Sequence, residues 1–167
     1  MGTTVRRIQH AEWPVLRELR LRSLLDAPEA FGQTHERALA ETDSEWQSAA
    51  RASADGDRRA WFIAAEDGQD VGLVQARRRP PHECLVFSMW VAPGARRGGV
   101  GRLLIAAVDA WAATWGARRI VLWVFGANED AQRFYARIGF KFVNTGPDAE
   151  SGRSYGALPM ERDIGSH

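Results

Sequence analysis

Cysteine occurs once in the 167 residues, at Cys84, and lysine once, at Lys141, so almost all positive charge is arginine. A lone cysteine excludes an internal disulfide framework and fits a reducing compartment, the cytoplasm. Its apolar neighbours and the lack of an evident histidine partner point to a small core hydrophobe, not a nucleophile. No apolar run approaches the roughly 20 residues of a membrane span, and the start Met1-Gly2-Thr3-Thr4-Val5-Arg6 has neither a signal-peptide core nor the Ser or Thr that a myristoylation motif needs at Arg6. Formal net charge is only +1, with acids and bases interspersed, which leaves no basic stripe for nucleic acid. His10, His35 and His167 stand at no metal-ligand spacing, and His82-Glu83 is followed by Val86 where a zinc motif needs a second histidine, so no metal is expected.

What is present is a core. Hydrophobic residues make up 45% of the chain and seven are tryptophan, enough for one well-buried domain over residues 1–164, with 165–167 a tail. Strand patterning covers 4–8, 59–66 and 71–79, the last two joined as a hairpin by Asp67-Gly68-Gln69-Asp70. Helical patterning covers Glu12 to Leu25, a short piece around Ala30 and Phe31, and a helix capped by Asp43-Ser44 that runs toward Ala54. Cys84 to Val91 is nearly all apolar and reads as a strand buried on both faces. Leu104, Val108, Trp111 and Trp115 then recur at helical spacing up to Gly116, the two tryptophans reading as core. Arg119 to Phe125 is a second interior strand, which makes strand, helix, strand a parallel crossover. Asn128 to Ile138 is a helix ended by Gly139, and Lys141 to Asn144 with Tyr155 to Arg162 forms a closing hairpin across a polar loop.

Between the first parallel strand and its helix lies Val91-Ala92-Pro93-Gly94-Ala95-Arg96-Arg97-Gly98-Gly99-Val100-Gly101-Arg102. Glycines at such a turn let a ligand approach the backbone, and the free N–H groups of the first helical turn favour an anion. Arg96, Arg97 and Arg102 add the charge that a pyrophosphate would need. The stretch is not a Walker loop, since no Gly-Lys-Ser/Thr follows, nor a dinucleotide loop, since Leu104 stands where a third glycine is required.

Arg96-x-x-Gly99-x-Gly101 after a strand ending Val91-x-Pro93 resembles the acetyl-CoA signature of the GNAT superfamily of N-acetyltransferases. Asn128-x-x-Ala131-x-x-Phe134-Tyr135-x-x-x-Gly139-Phe140 is similar to a second pattern of the same enzymes, and Leu19 through Gly32 looks like the start of many actinobacterial members. The resemblance implies an α/β fold of α+β type: a mixed, mostly antiparallel sheet of six to seven strands, flanked by helices and splayed at a central parallel pair. It implies acetyl-CoA as cosubstrate, bound by Met89, Trp90, Val91, Arg96, Arg97, Gly98, Gly99, Val100, Gly101, Arg102, Asn128, Phe134 and Tyr135. Asn128 reads equally as a helix cap. It further implies an amine acceptor, a small molecule or a peptide, and a homodimer is common in the family.

Acyl transfer to an amine needs the neutral nucleophile. An alkyl amine of pKa about 10.4 is neutral in about one molecule in 2,500 at pH 7, a deficit of about 4.6 kcal/mol. Glu83, at the head of the central strand, is the nearest acidic candidate for a base, two residues before Leu85, the commonest family position; Glu36 and Asp26 are further acids in the acceptor region. Tyr135 is the resemblance's candidate for protonating the leaving thiolate. A catalytically silent CoA-binding domain, and an acyltransferase using another acyl-CoA, are the alternatives. The cluster Arg77-Arg78-Arg79 reads as a solvated strand end.

Overall fold

The computed structural model describes residues 2–28 and 32–165. The helical piece expected around Ala30 and Phe31 lies outside the described residues. In chain order the elements are β1 (Thr3–Arg7), α1 (Trp13–Asp26), α2 (His35–Ala40), α3 (Asp43–Ala54), β2 (Arg59–Glu66), β3 (Gln69–Arg79), β4 (Glu83–Val91), α4 (Val100–Thr114), β5 (Arg119–Phe125), α5 (Glu129–Arg137), β6 (Lys141–Phe142), α6 (Pro147–Arg153) and β7 (Ala157–Asp163). Seven strands form one sheet in the order β1-β2-β3-β4-β5-β7-β6, with β4 and β5 parallel and every other pair antiparallel. The expected fold class is therefore observed. Among the described residues no helix is long and apolar enough to cross a membrane.

Alternation along the strands divides the core between the two faces. Phe62, Val74, Val86, Ile120 and Leu122 pack with Leu104 and Val108 of α4, and Trp111 and Trp115 join this cluster with ring centroids 5.5 Å apart. Trp61, Ile63 and Leu73 face the other way, against Leu16 and Leu19 of α1 and Trp46 of α3.

Three local expectations change. The cap of α3 is Thr42, one residue before Asp43, in a reciprocal pair with Glu45: the Glu45 amide donates to Thr42 Oγ1 at 3.2 Å, and the Thr42 amide donates to the Glu45 carboxylate at 3.0 Å. The closing segment is not a simple hairpin. β6 has two residues, and α6 occupies what composition marks as a polar loop, starting on Pro147 with Asp148 and Glu150 in its first turn. Finally, β4 is sealed on one face only. Cys84, Val86 and Trp90 are buried, whereas Leu85, Phe87, Ser88 and Met89 are half-buried. The thiol of Cys84, fully covered, has its pKa pushed up to about 12 by burial, which fits an inert core residue.

Candidate active site

The two parallel strands part. β4 and β5 pair from Glu83 with Arg119 as far as Val86 with Leu122. Beyond that point β5 follows β7 to Phe125, and β4 follows β3 to Val91. A bulge that the sequence did not reveal lies at the same level of β4. Leu73 pairs with Trp90 and Gln75 with Phe87, so two residues of β4, Ser88 and Met89, oppose one of β3. Ser88 takes a left-handed φ of 57° to accommodate it. From Phe87 to Val91 this edge of β4 has no strand partner on the β5 side among the described residues, so main-chain groups are turned toward the gap. At its apex Phe87 and Trp123 stack with centroids 5.8 Å apart and planes 11° from parallel.

The glycine loop closes the open end. Arg97 (φ 68°) and Gly99 (φ 84°) are both left-handed, and Gly99 caps α4 with no side chain of its own. A Cβ on Gly99 would meet nothing within 4 Å, so the start of α4 carries no side-chain cap and is open at Gly99. Gly101 is required by packing: a Cβ there would lie 2.9 Å from Phe134 Cζ and 3.3 Å from Met89 Cε. This contact gathers the bulge, the start of α4 and the α5 aromatic pair at one point. The Val100 side chain is core. Arg97 and Arg102 are exposed and have no carboxylate partner among the described residues.

Arg96 is arranged differently from its neighbours. Its Nε donates to the Val91 carbonyl at 2.9 Å, and its guanidinium pairs with Asp26 at the end of α1. Asp26 also accepts from the Trp90 indole at 2.9 Å. The Trp90 bond first, and the Arg96 guanidinium with it, hold the Asp26 carboxyl below its ordinary pKa. Trp90 thus presents only its backbone to the gap, and Asp26 is engaged as a structural acceptor.

Asn128 is the α5 cap: its Oδ1 accepts from the Ala131 amide at 3.2 Å, which leaves Nδ2 without a protein partner among the described residues. Gln132 ties the same helix to the end of β5 by donating to the carbonyls of Phe125 at 3.1 Å and Gly126 at 3.0 Å. Tyr135 is 6% exposed, its ring 5.2 Å from Phe134 and 5.5 Å from Phe140, and burial raises the phenol pKa. Glu83 is not brought to this gathering. It sits at the closed end of the V, where Arg79 donates to it at 3.0 Å and Arg119 stands at 3.7 Å. It is four positions from Phe87, about 13 Å of extended strand. Among the described residues no cluster of metal-ligating side chains occurs.

The sequence model for the acetyltransferase (GNAT) family matches residues 13–140, which span the parting strands, the glycine loop and α5. The chain belongs to this family. A protein of Mycobacterium tuberculosis (strain H37Rv) named as an uncharacterized N-acetyltransferase is 39% identical over 88 residues, 53% of this chain and 56% of the relative. A mycothiol acetyltransferase of Amycolatopsis mediterranei is 32% identical over 111 residues, 58% of this chain and 36% of the relative. The chain thus spans about half the length of the mycobacterial relative and less of the other. Two solved structures share the fold. A GNAT-family acetyltransferase of Streptococcus pneumoniae superposes with a TM-score of 0.78 at 21% identity, covering 98% of this chain and 99% of that one. The PaiA N-acetyltransferase of Thermoplasma acidophilum, solved with coenzyme A, superposes with a TM-score of 0.71 at 14% identity, covering 98% and 99%.

Proposed function

We propose that this GNAT protein is an N-acetyltransferase of a reducing compartment that moves an acetyl group from acetyl-CoA to an amine by direct attack. The observation that carries the reading is the coincidence of the strand parting with the start of α4. An unpaired strand edge and an uncapped helix start flank the same gap, and they suit a thioester arm and a pyrophosphate respectively. When bound, acetyl-CoA supplies the activated acyl group.

In this proposal the amides from Gly98 to Arg102 take the pyrophosphate, with Arg97 and Arg102 adding charge from the rim. Arg96 serves by shape, pinning the loop to Val91 and to the end of α1. The main chain of Met89, Trp90 and Val91 orients the pantetheine arm and the thioester carbonyl. Asn128 Nδ2 offers a donor at the end of β5, and Phe134 walls the thiol side. Tyr135 gives its proton to the departing thiolate.

Among the described residues no carboxylate lines the apex, where Leu85, Phe87 and Trp123 are apolar. Deprotonation of the amine therefore passes to water, with Glu83 the nearest carboxylate of β4 at the far end of any such chain. Exclusion of bulk water by the aromatic floor lowers the amine pKa in the same direction. The test is turnover against an amine panel, with thiol release and product mass measured together. Stoichiometric thiol and acetylated product support the reading. Saturable acetyl-CoA binding with no amine-dependent thiol release across the panel would make the chain a CoA-binding domain instead.

A further inference from the structure

Three arginines end β3, and the protein satisfies only two of them. Arg78 pairs with Asp57 at 2.6 Å. Arg79 makes a two-pronged contact with Asp148 of α6, both bonds 2.8 Å. Arg77 is exposed and has no hydrogen-bond or ion-pair partner among the described residues; its Cζ lies 5.1 Å from the Phe87 ring centroid. That ring is one of the two stacked at the parting of β4 and β5. The exposed guanidinium thus rests against an aromatic face at the edge of the parting, with its N–H donors unspent.

Two neighbours sharpen the picture. Arg59 is paired directly opposite Arg77 across the sheet, so two like charges share this face. Both are exposed and neither has a carboxylate partner among the described residues, so the two charges together favour an anion at this face. Partial desolvation first, then the Arg59 charge, lowers the Arg77 pKa. Two residues back, on the same strand face, Gln75 is only 6% exposed and its side-chain amide has no hydrogen-bond partner among the described residues. The amide tip is not sealed from water, and its N–H donors are open to a ligand.

We propose that Arg77, with Gln75 beside it, is a carboxylate subsite, so that the acceptor is an amine that also carries a carboxylate, such as an amino acid or a peptide end. The proposal rests on the acyl-transfer reading above and narrows its substrate class. A planar carboxylate matches the guanidinium fork and accepts from the Gln75 amide, and its charge relieves the Arg59–Arg77 repulsion. The amine end of such a molecule then lies over Phe87, toward the gap.

The test uses L-amino acids paired with their own amides, and measures thiol release with acetyl-CoA saturating. Amides carry the more easily deprotonated amine, so a preference for the acids runs against intrinsic reactivity. The expected result is a kcat/KM at least about tenfold higher for the acids, expressed in KM. In Arg77→Met the ratio falls to about one, and in Arg77→Lys, which keeps the charge but loses the fork, it lies between. Acetyl-CoA affinity is the same in all three proteins. Calorimetric binding of the corresponding N-acetyl amino acids and N-acetyl amides to the CoA-saturated protein gives a second readout. Arg77-dependent carboxylate binding without thiol release from any amine keeps the subsite and sinks the acyl-transfer reading. Turnover in which amides match acids, or in which Arg77→Met keeps the ratio, overturns the subsite and leaves the enzyme.

Discussion

Replacing Tyr135 with Phe separates the chemical role of the hydroxyl from the packing role of the ring. The ring is wedged between Phe134 and Phe140 and is retained. The hydroxyl has no protein hydrogen-bond partner among the described residues, so its removal breaks no bond. The ring is buried but the hydroxyl is not sealed from water, so its loss relieves no desolvation penalty. The variant's Tm is therefore predicted to stay within about 2–4 °C of the parent's, the shift of about 1 kcal/mol in a chain of this size. Turnover, by contrast, falls. At ordinary values, proton transfer from a phenol to a thiolate is uphill by about 1.5 pKa units, or about 2 kcal/mol. Burial raises the phenol further, so the donor stays protonated through neutral pH and serves only a thiolate that is itself desolvated. Loss of this donor should lower kcat by about 10²-fold or more with the acetyl-CoA KM little changed. Thermal melting and single-turnover thiol release measure both. A turnover within a factor of two of the parent, or a marked fall in Tm, would refute the assignment, the first by removing the donor and the second by revealing a bond.

Cys84→Ala should flatten the alkaline side of the stability profile. The unfolded thiol titrates near its ordinary 9.0 and the folded one at about 12, so stability is full below the lower value and falls between the two with a slope approaching about 1.4 kcal/mol per pH unit. Denaturant midpoints of parent and variant from about pH 8 to about pH 11 check this, and parallel profiles would contradict it. Gly152→Ala puts a Cβ 2.4 Å from the Ala157 carbonyl oxygen, a backbone atom that cannot swing aside. Overpacking of about 1–3 kcal/mol outweighs a helical gain of about 0.5–1 kcal/mol, so Tm should fall by about 2–8 °C, and an unchanged Tm would mean that α6 slides freely. Asn128→Asp keeps the capping oxygen and loses the free Nδ2, so acetyl-CoA affinity should drop at unchanged Tm; unchanged affinity by calorimetry would leave Asn128 a cap alone.

Much of the fold was legible because its signals are local. The parallel strands announce themselves as apolar runs, Gly139 is a left-handed stop with φ 97°, and Gly99 is left-handed where the loop motif demands it. What escaped was set by distant partners. Ser88 looks like any strand residue, and its bulge exists only in the pairing with β3. Gly152 looks like a loop glycine, yet it is there because the Ala157 carbonyl passes beside it. At the site, Glu83 stands at the head of the right strand, but sequence gave no means of seeing Arg79 and Arg119 converge on it across the sheet. Arg96 carries the motif, and its pairing with Asp26, 70 positions earlier, is invisible to spacing. The Phe87–Trp123 stack had no signal either, since the two lie on strands separated by all of α4.

In the proposed function the start of α4 receives the pyrophosphate of acetyl-CoA. Calorimetric titration of acetyl-CoA into the parent, Gly99→Asn and Gly99→Asp tests it most directly. Asn and Asp both tolerate the left-handed φ of 84° and have nearly the same shape, so the comparison isolates one negative charge beside the loop amides. The folded Asp variant should bind at least about tenfold more weakly than the Asn variant, with the gap narrowing as salt is raised. Equal affinity of the folded Asp and Asn proteins for acetyl-CoA would contradict it.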